Sequence, residues 1–92
     1  MKTEEVIVTV VGRNRVGVLS ETTGKIAQLK GNILDISQKM LKGYFNLIMI
    51  VDISNTKSDF ATFKKKLEDL GNKKGYNVSV QHQKVFDYMH RI

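Results

Sequence analysis

Asn14 and the main-chain amides that follow it, within Gly12-Arg13-Asn14-Arg15-Val16-Gly17-Val18-Leu19, are the groups best placed to hold a small polar molecule. They fall between an apolar run, Val6 to Val11, and a helical pattern that begins near Gly17. A strand-to-helix turn points unpaired N–H groups and the positive end of the helix dipole at its guest. A carboxylate or phosphate suits that end. The Asn14 amide donates and accepts at once, and Gly12 and Gly17 allow close backbone approach, so a zwitterion fits better than a bare phosphate. Arg13 and Arg15 flank the turn with positive charge.

Other chemistry finds little footing. There is no cysteine, which excludes disulfides, thiolate metal sites and a thiol nucleophile. His82 and His90 stand apart from any acid or nucleophile at a spacing that would suggest a triad or a metal site. Glu4, Glu5, Glu21, Asp35, Glu68 and Asp69 form no recognisable acid and base pair. The expectation is a protein without catalytic residues, metal or cofactor.

The elements that must position the turn follow from periodicity. Val6 to Val11 is apolar on both faces, as an inner strand is. From Gly17 to Lys30, Leu19, Thr22 or Thr23, Ile26 and Leu29 recur at helical spacing, with Gly24 expected at a close helix–sheet contact and Gly31-Asn32 as a left-handed terminator. Ile33 to Leu41 predicts a second strand, with Leu34, Ile36 and Met40 on one face. Lys42-Gly43 is a tight hairpin turn into a third strand, Tyr44 to Ile53, whose Phe45, Leu47, Met49, Val51 and Ile53 face the core. Ser58 is expected to cap a second helix that carries Phe60, Phe63, Leu67 and Leu70 and stops at Gly71. Tyr76, Val78, Val80 and His82 alternate in a fourth strand. Val85, Phe86, Met89 and Ile92 predict a short C-terminal helix that covers Ile48 and Ile50 on the otherwise open sheet face.

The fold class is therefore α+β. Residues 1–92 make a single ferredoxin-like βαββαβ domain with a four-stranded antiparallel sheet, two helices on one face and a short extra C-terminal helix. Hydrophobic residues are 41% and charged residues 26%, an ordinary globular balance. The formal net charge of +6 raises a polyanionic partner. Lys57, Lys64, Lys65, Lys66, Lys73 and Lys74, however, gather on or beside one helix whose outward side water covers anyway. No apolar run reaches the ~18 residues of a membrane span, and Met1 to Glu5 lacks a signal-peptide core, so a cytoplasmic protein without a membrane partner is expected.

The hydrophobic strand, the turn from Gly12 to Leu19, and Gly31-Asn32-Ile33 after the helix together resemble the ACT domain, a small regulatory module of amino-acid metabolism. The likeness covers nearly the whole chain and is nearest to small stand-alone ACT proteins. Asn14 to Leu19 is similar to the turn of the serine-binding ACT domain in phosphoglycerate dehydrogenases. There, an asparagine in the turn and another at the start of the second strand hold the effector across a subunit interface. The resemblance implies that Asn14 and Asn32 do so here, with Gly12, Arg13, Val16, Gly17, Val18, Leu19 and Ile33 lining the site. Gly12 stands where the serine-binding domains have histidine, so serine is not carried over, and Val16 stands where many relatives have proline. The implied function is a non-catalytic regulatory domain. It binds a small amino acid or similar metabolite at a homodimer interface and signals to a partner protein by an allosteric change.

A different class competes on the same topology. Lys42-Gly43-Tyr44 is similar to the opening of the third strand of the RNA-recognition motif. That motif needs a further exposed ring two residues on, where Asn46 stands, and an aromatic on the neighbouring strand, where Val6 to Val11 has none. Without rings to stack bases on, nucleic acid is the lesser alternative.

Overall fold

Alternation and helical spacing build four strands and two helices: β1 (Glu5–Arg13), α1 (Val18–Gln28), β2 (Asn32–Leu41), β3 (Tyr44–Asp52), α2 (Phe60–Lys74) and β4 (Asn77–His82). The computed structural model describes residues 4–13, 17–56 and 59–84, with Leu41 described by its backbone alone. The expected C-terminal helix from Val85 lies outside the described residues, and so does Ser58. The strands form one antiparallel sheet in the order β2-β3-β1-β4, which leaves β2 and β4 as its edges.

One face of this sheet is the floor of the core. Val6, Val8 and Val10 of β1 lie beside Val51, Met49 and Leu47 of β3 and, on the other side, Val80 and Val78 of β4. Phe63 and Leu67 from α2 and Val18, Thr22 and Ile26 from α1 close over them, all buried. The inward stripe of α1 is thus Val18, Thr22 and Ile26, and Leu19 points outward instead. Thr22 is tolerated there because its hydroxyl donates to the carbonyl of Val18 at 2.9 Å, with that of Leu19 at 3.1 Å.

Several local expectations are corrected by what the residues touch. The left-handed residue after α1 is Lys30, at φ 68°, and Gly31 is small because a Cβ there would come within 2.9 Å of Ile26 and 3.0 Å of Val51. Asn32 opens β2 rather than ending the helix. The cap of α2 is Asp59, whose carboxylate accepts from the Thr62 amide at 2.9 Å. That bond holds its pKa below the ordinary aspartate range. The helix does not stop at Gly71 but runs to Lys74, with Gly75 at φ 88° as the C-cap. Gly71 is a packing residue, since a Cβ would meet the carbonyl of Tyr76 and Cγ2 of Val78 at 2.7 Å each. Lys42 (φ 50°) and Gly43 (φ 82°) form the expected turn, with both residues left-handed as a two-residue hairpin demands.

Gly24 is not at a close contact. It is exposed, and nothing lies within 4 Å of a Cβ built on it. Gly24→Ala should therefore stabilise the protein by about 1 kcal/mol, the propensity difference in a helix interior. Thermal unfolding should show a midpoint about 4–8 °C higher, as expected for a domain of this size.

Register places the middle of β2 against the core-facing side of β3. Ile36 pairs with Met49 and Met40 with Phe45, while Asp35 pairs with Ile50 on the other face. A bulge between Ile33 and Asp35 accommodates Leu34 as an extra residue. The helices leave this part of the sheet uncovered: Ile36 is 43% and Met40 47% exposed.

Candidate functional site

Gly17 takes φ 94°, a conformation that L side chains rarely adopt, and this lets the chain enter α1 directly. Its carbonyl accepts from the Glu21 amide at 2.8 Å and from the Ser20 hydroxyl at 3.1 Å. Glu21 is the first donor within the helix, so the amides of Val18, Leu19 and Ser20 come before the ladder begins. The N-cap residue, being glycine, has no side chain to satisfy them. Val18 is buried, so only its main chain is available to a ligand, whereas Leu19 is exposed beside it. Asn14 and Val16, with Arg15, lie outside the described residues.

Asn32 and Ile33 stand elsewhere. Asn32 opens β2 opposite Asp52, and Asp52 in turn lies opposite Glu5 at the start of β1. Arg13, at the far end of β1, pairs with Tyr44. With a rise of about 3.3 Å per residue, the two ends of β1 are roughly 26 Å apart. Within one chain the sheet therefore does not bring Asn32 to the turn before α1. Asn32 is exposed and Ile33 half-buried against the core. Asp52, close to Asn32, accepts from the Ser54 amide at 2.9 Å, and that bond lowers its pKa.

Gly12 has a packing reason of its own, because a Cβ there would come within 2.8 Å of the Tyr76 Cβ. Arg13 lies over the ring of Tyr44, 5.6 Å from its centroid. Both belong to a groove of about 570 Å³ at this end of the sheet, lined also by Asn72, Lys74 and Asn77. Sequence reasoning missed this groove because it joins the end of α2 and the start of β4 to β1. The closely spaced glycines Gly71 and Gly75 beside Tyr76 were the available signal for a tight approach.

His82 has a structural setting. His82 Nε2 is 3.4 Å from a Glu4 carboxylate oxygen, and its ring lies 5.9 Å from that of Phe60. Among the described residues no three His, Asp or Glu side chains gather where they could hold a metal ion. No helix among them is long and apolar enough to cross a membrane.

Comparison with known proteins agrees with this architecture. A family model described as the ACT domain matches residues 4–81. A UPF0237 protein of Methanocaldococcus jannaschii is 49% identical over 87 residues, which are 95% of this chain and 97% of that protein. A UPF0237 protein of Bifidobacterium longum is 43% identical over 86 residues, 94% of this chain and 96% of that one. Among solved structures, an ACT domain protein from Streptococcus pneumoniae superposes with a TM-score of 0.82 at 34% identity, covering 94% of this chain and 97% of that chain. With the fold, the strand order and relatives matched along nearly their whole length, this chain belongs to the ACT domain family.

Proposed function

We propose that the protein is a non-catalytic sensor whose two copies bind a small amino acid or similar metabolite between them and pass the bound state to another protein. The supporting observation is the geometry of β2. It is an edge strand of ten residues that carries exposed apolar side chains at Leu34, Ile36 and Met40. An edge of that kind invites pairing with a second chain. The opposite edge, β4, has only six residues and buries its apolar ones under α2.

Two β2 strands paired antiparallel about a two-fold axis run past each other. With the axis beside Ile36, that residue lies opposite its own copy, and Asn32 of one copy comes alongside the Met40–Leu41 end of the other. That is the end of the sheet where β1 finishes and α1 opens, and β1 there is about 14 Å from Asn32 across three strand spacings. Asn32 of one subunit and the turn from Gly12 to Leu19 of the other then share one pocket. A carboxylate meets the amides of Val16 to Leu19, and the carboxamides of Asn14 and Asn32 fix the rest of the ligand. Because both chains hold the ligand, binding strengthens association and association strengthens binding. Membership of a family whose domains are commonly regulatory supports the same reading.

The test is a thermal-shift screen of the twenty amino acids combined with sedimentation. At a hundred times its dissociation constant a true ligand adds about 2.7 kcal/mol and raises the midpoint by several degrees. Asn32→Ala should remove that shift without changing the fold. A monomer that none of the amino acids stabilises would overturn the reading.

A further inference from the structure

Charge is unevenly distributed along the sheet. Arg13, Lys39, Lys42, Lys73 and Lys74 lie at the end where β1 finishes, β2 turns into β3 and α2 stops. Glu4, Glu5, Asp52 and Asp59 lie at the other, together with Lys30 and Lys84, while Glu21 stands at the basic end against Lys74. Such a separation draws anions toward the basic end. At that end Tyr44, 48% exposed, stands between two hollows. The groove of about 570 Å³ contains Arg13, Asn72, Lys74 and Asn77, and a second hollow of about 420 Å³ contains Lys39, Lys42 and Asn46. Tyr44 lines both, and among the described residues neither has a carboxylate in its lining.

We infer that the larger groove binds a nucleoside monophosphate, its base packed against Tyr44 and its phosphate held by Arg13. This groove shares Gly12 and Arg13 with the turn of the proposed amino-acid pocket, but it needs neither Asn32 nor a second copy. Four observations select that ligand. Arg13 already lies over one face of the Tyr44 ring, 5.6 Å from its centroid, so a cation and an aromatic side chain meet at one point, as a ligand with an anionic group close to a flat one requires. Lys74 is held at 3.6 Å from a Glu21 carboxylate oxygen, which tempers its charge and leaves Arg13 as the principal cation. Asn72 and Asn77 present amides that both donate and accept, matching the mixed edge of a base.

The fourth is the stiffness of the wall. Gly12 and Gly71 bring backbone so close to Tyr76 and Val78 that no side chain fits between. Tyr76 is braced edge-on by Phe45 at 6.5 Å. A groove with a fixed floor and a volume within the range of small-molecule sites suits one nucleotide. A long single strand would need further rings along the sheet face, and β1 has none.

The experiment is calorimetric titration of the full chain with 5′-AMP at low salt, with adenosine, inorganic phosphate and a six-nucleotide single-stranded RNA as parallel ligands. AMP should bind at one site per chain, and adenosine and phosphate each at least about tenfold more weakly. Tyr44→Leu, which keeps an apolar side chain at an exposed position, should weaken AMP by about fivefold or more, the scale of a lost stacking contact. Arg13→Gln should weaken AMP and leave adenosine unchanged. Asn32→Ala, chosen to disable the amino-acid pocket, should leave AMP binding intact, so the two readings fail independently. Absence of AMP binding, or AMP binding indifferent to both Tyr44→Leu and Arg13→Gln, would overturn the inference. So would RNA binding more than tenfold tighter than AMP, which would make the site a nucleic-acid surface.

Discussion

Phe63→Ala should cost about 3–5 kcal/mol and leave the domain close to unfolding at room temperature. Phe63 is completely buried in the first turn of α2, within the core cluster that also holds the valines of β1 and the inward residues of β3 and β4. A chain of 92 residues has only about 5–14 kcal/mol of stability in all, so losing one such side chain takes a large share of it. Urea unfolding followed by circular dichroism reads the change directly. Phe60 supplies the contrast: it is half-buried at the start of the same helix, against His82, and Phe60→Ala should cost clearly less. Equal losses at the two positions would mean that α2 is not seated on the sheet as described.

The second large effect concerns association. Ile36→Lys with Met40→Lys should yield a monomer that keeps its fold and loses the thermal response to an amino-acid ligand. Both side chains project from the core-facing side of β2 yet remain largely exposed, so replacing them removes little that the isolated chain needs. Across a two-fold pairing of β2 strands centred on Ile36, the lysines introduced at that position would confront each other, and like charges at close range are unfavourable. Sedimentation gives the subunit number and circular dichroism checks the fold. A variant that stays dimeric would place the association surface elsewhere.

Much of this architecture was legible from residue types. The inward residues of β3, from Phe45 to Val51, alternate without exception, and Lys42-Gly43 is a turn that few other conformations would accept. Helix ends and helix faces were harder. Leu19 is apolar and correctly spaced, but Val18 and Thr22 take the inward stripe because the chain enters α1 through a left-handed Gly17. Gly24 and Gly71 look alike in a sequence. One faces water and the other lies against the Tyr76 carbonyl, a distinction that only tertiary placement creates. Asp59 and Ser58 are both good caps, and Asp59 takes the role. Of the candidate site, residue types pointed to the helix opening. Sequence spacing alone could not show that Asn32 sits at the opposite end of the sheet, because that depends on strand register.

The surplus residue at Leu34 has a further effect. Strand geometry otherwise ties every side chain to its neighbours in strict alternation, so re-aiming one would invert them all. With one unpaired position inserted, Ile33 turns inward and Asn32 outward independently of the strip that follows. If, as proposed, Asn32 meets a ligand and Ile36 and Met40 meet a second copy, the start of this strand can be altered to suit a new guest molecule while those two side chains keep their aim, so chemical selectivity and self-recognition are free to diverge separately.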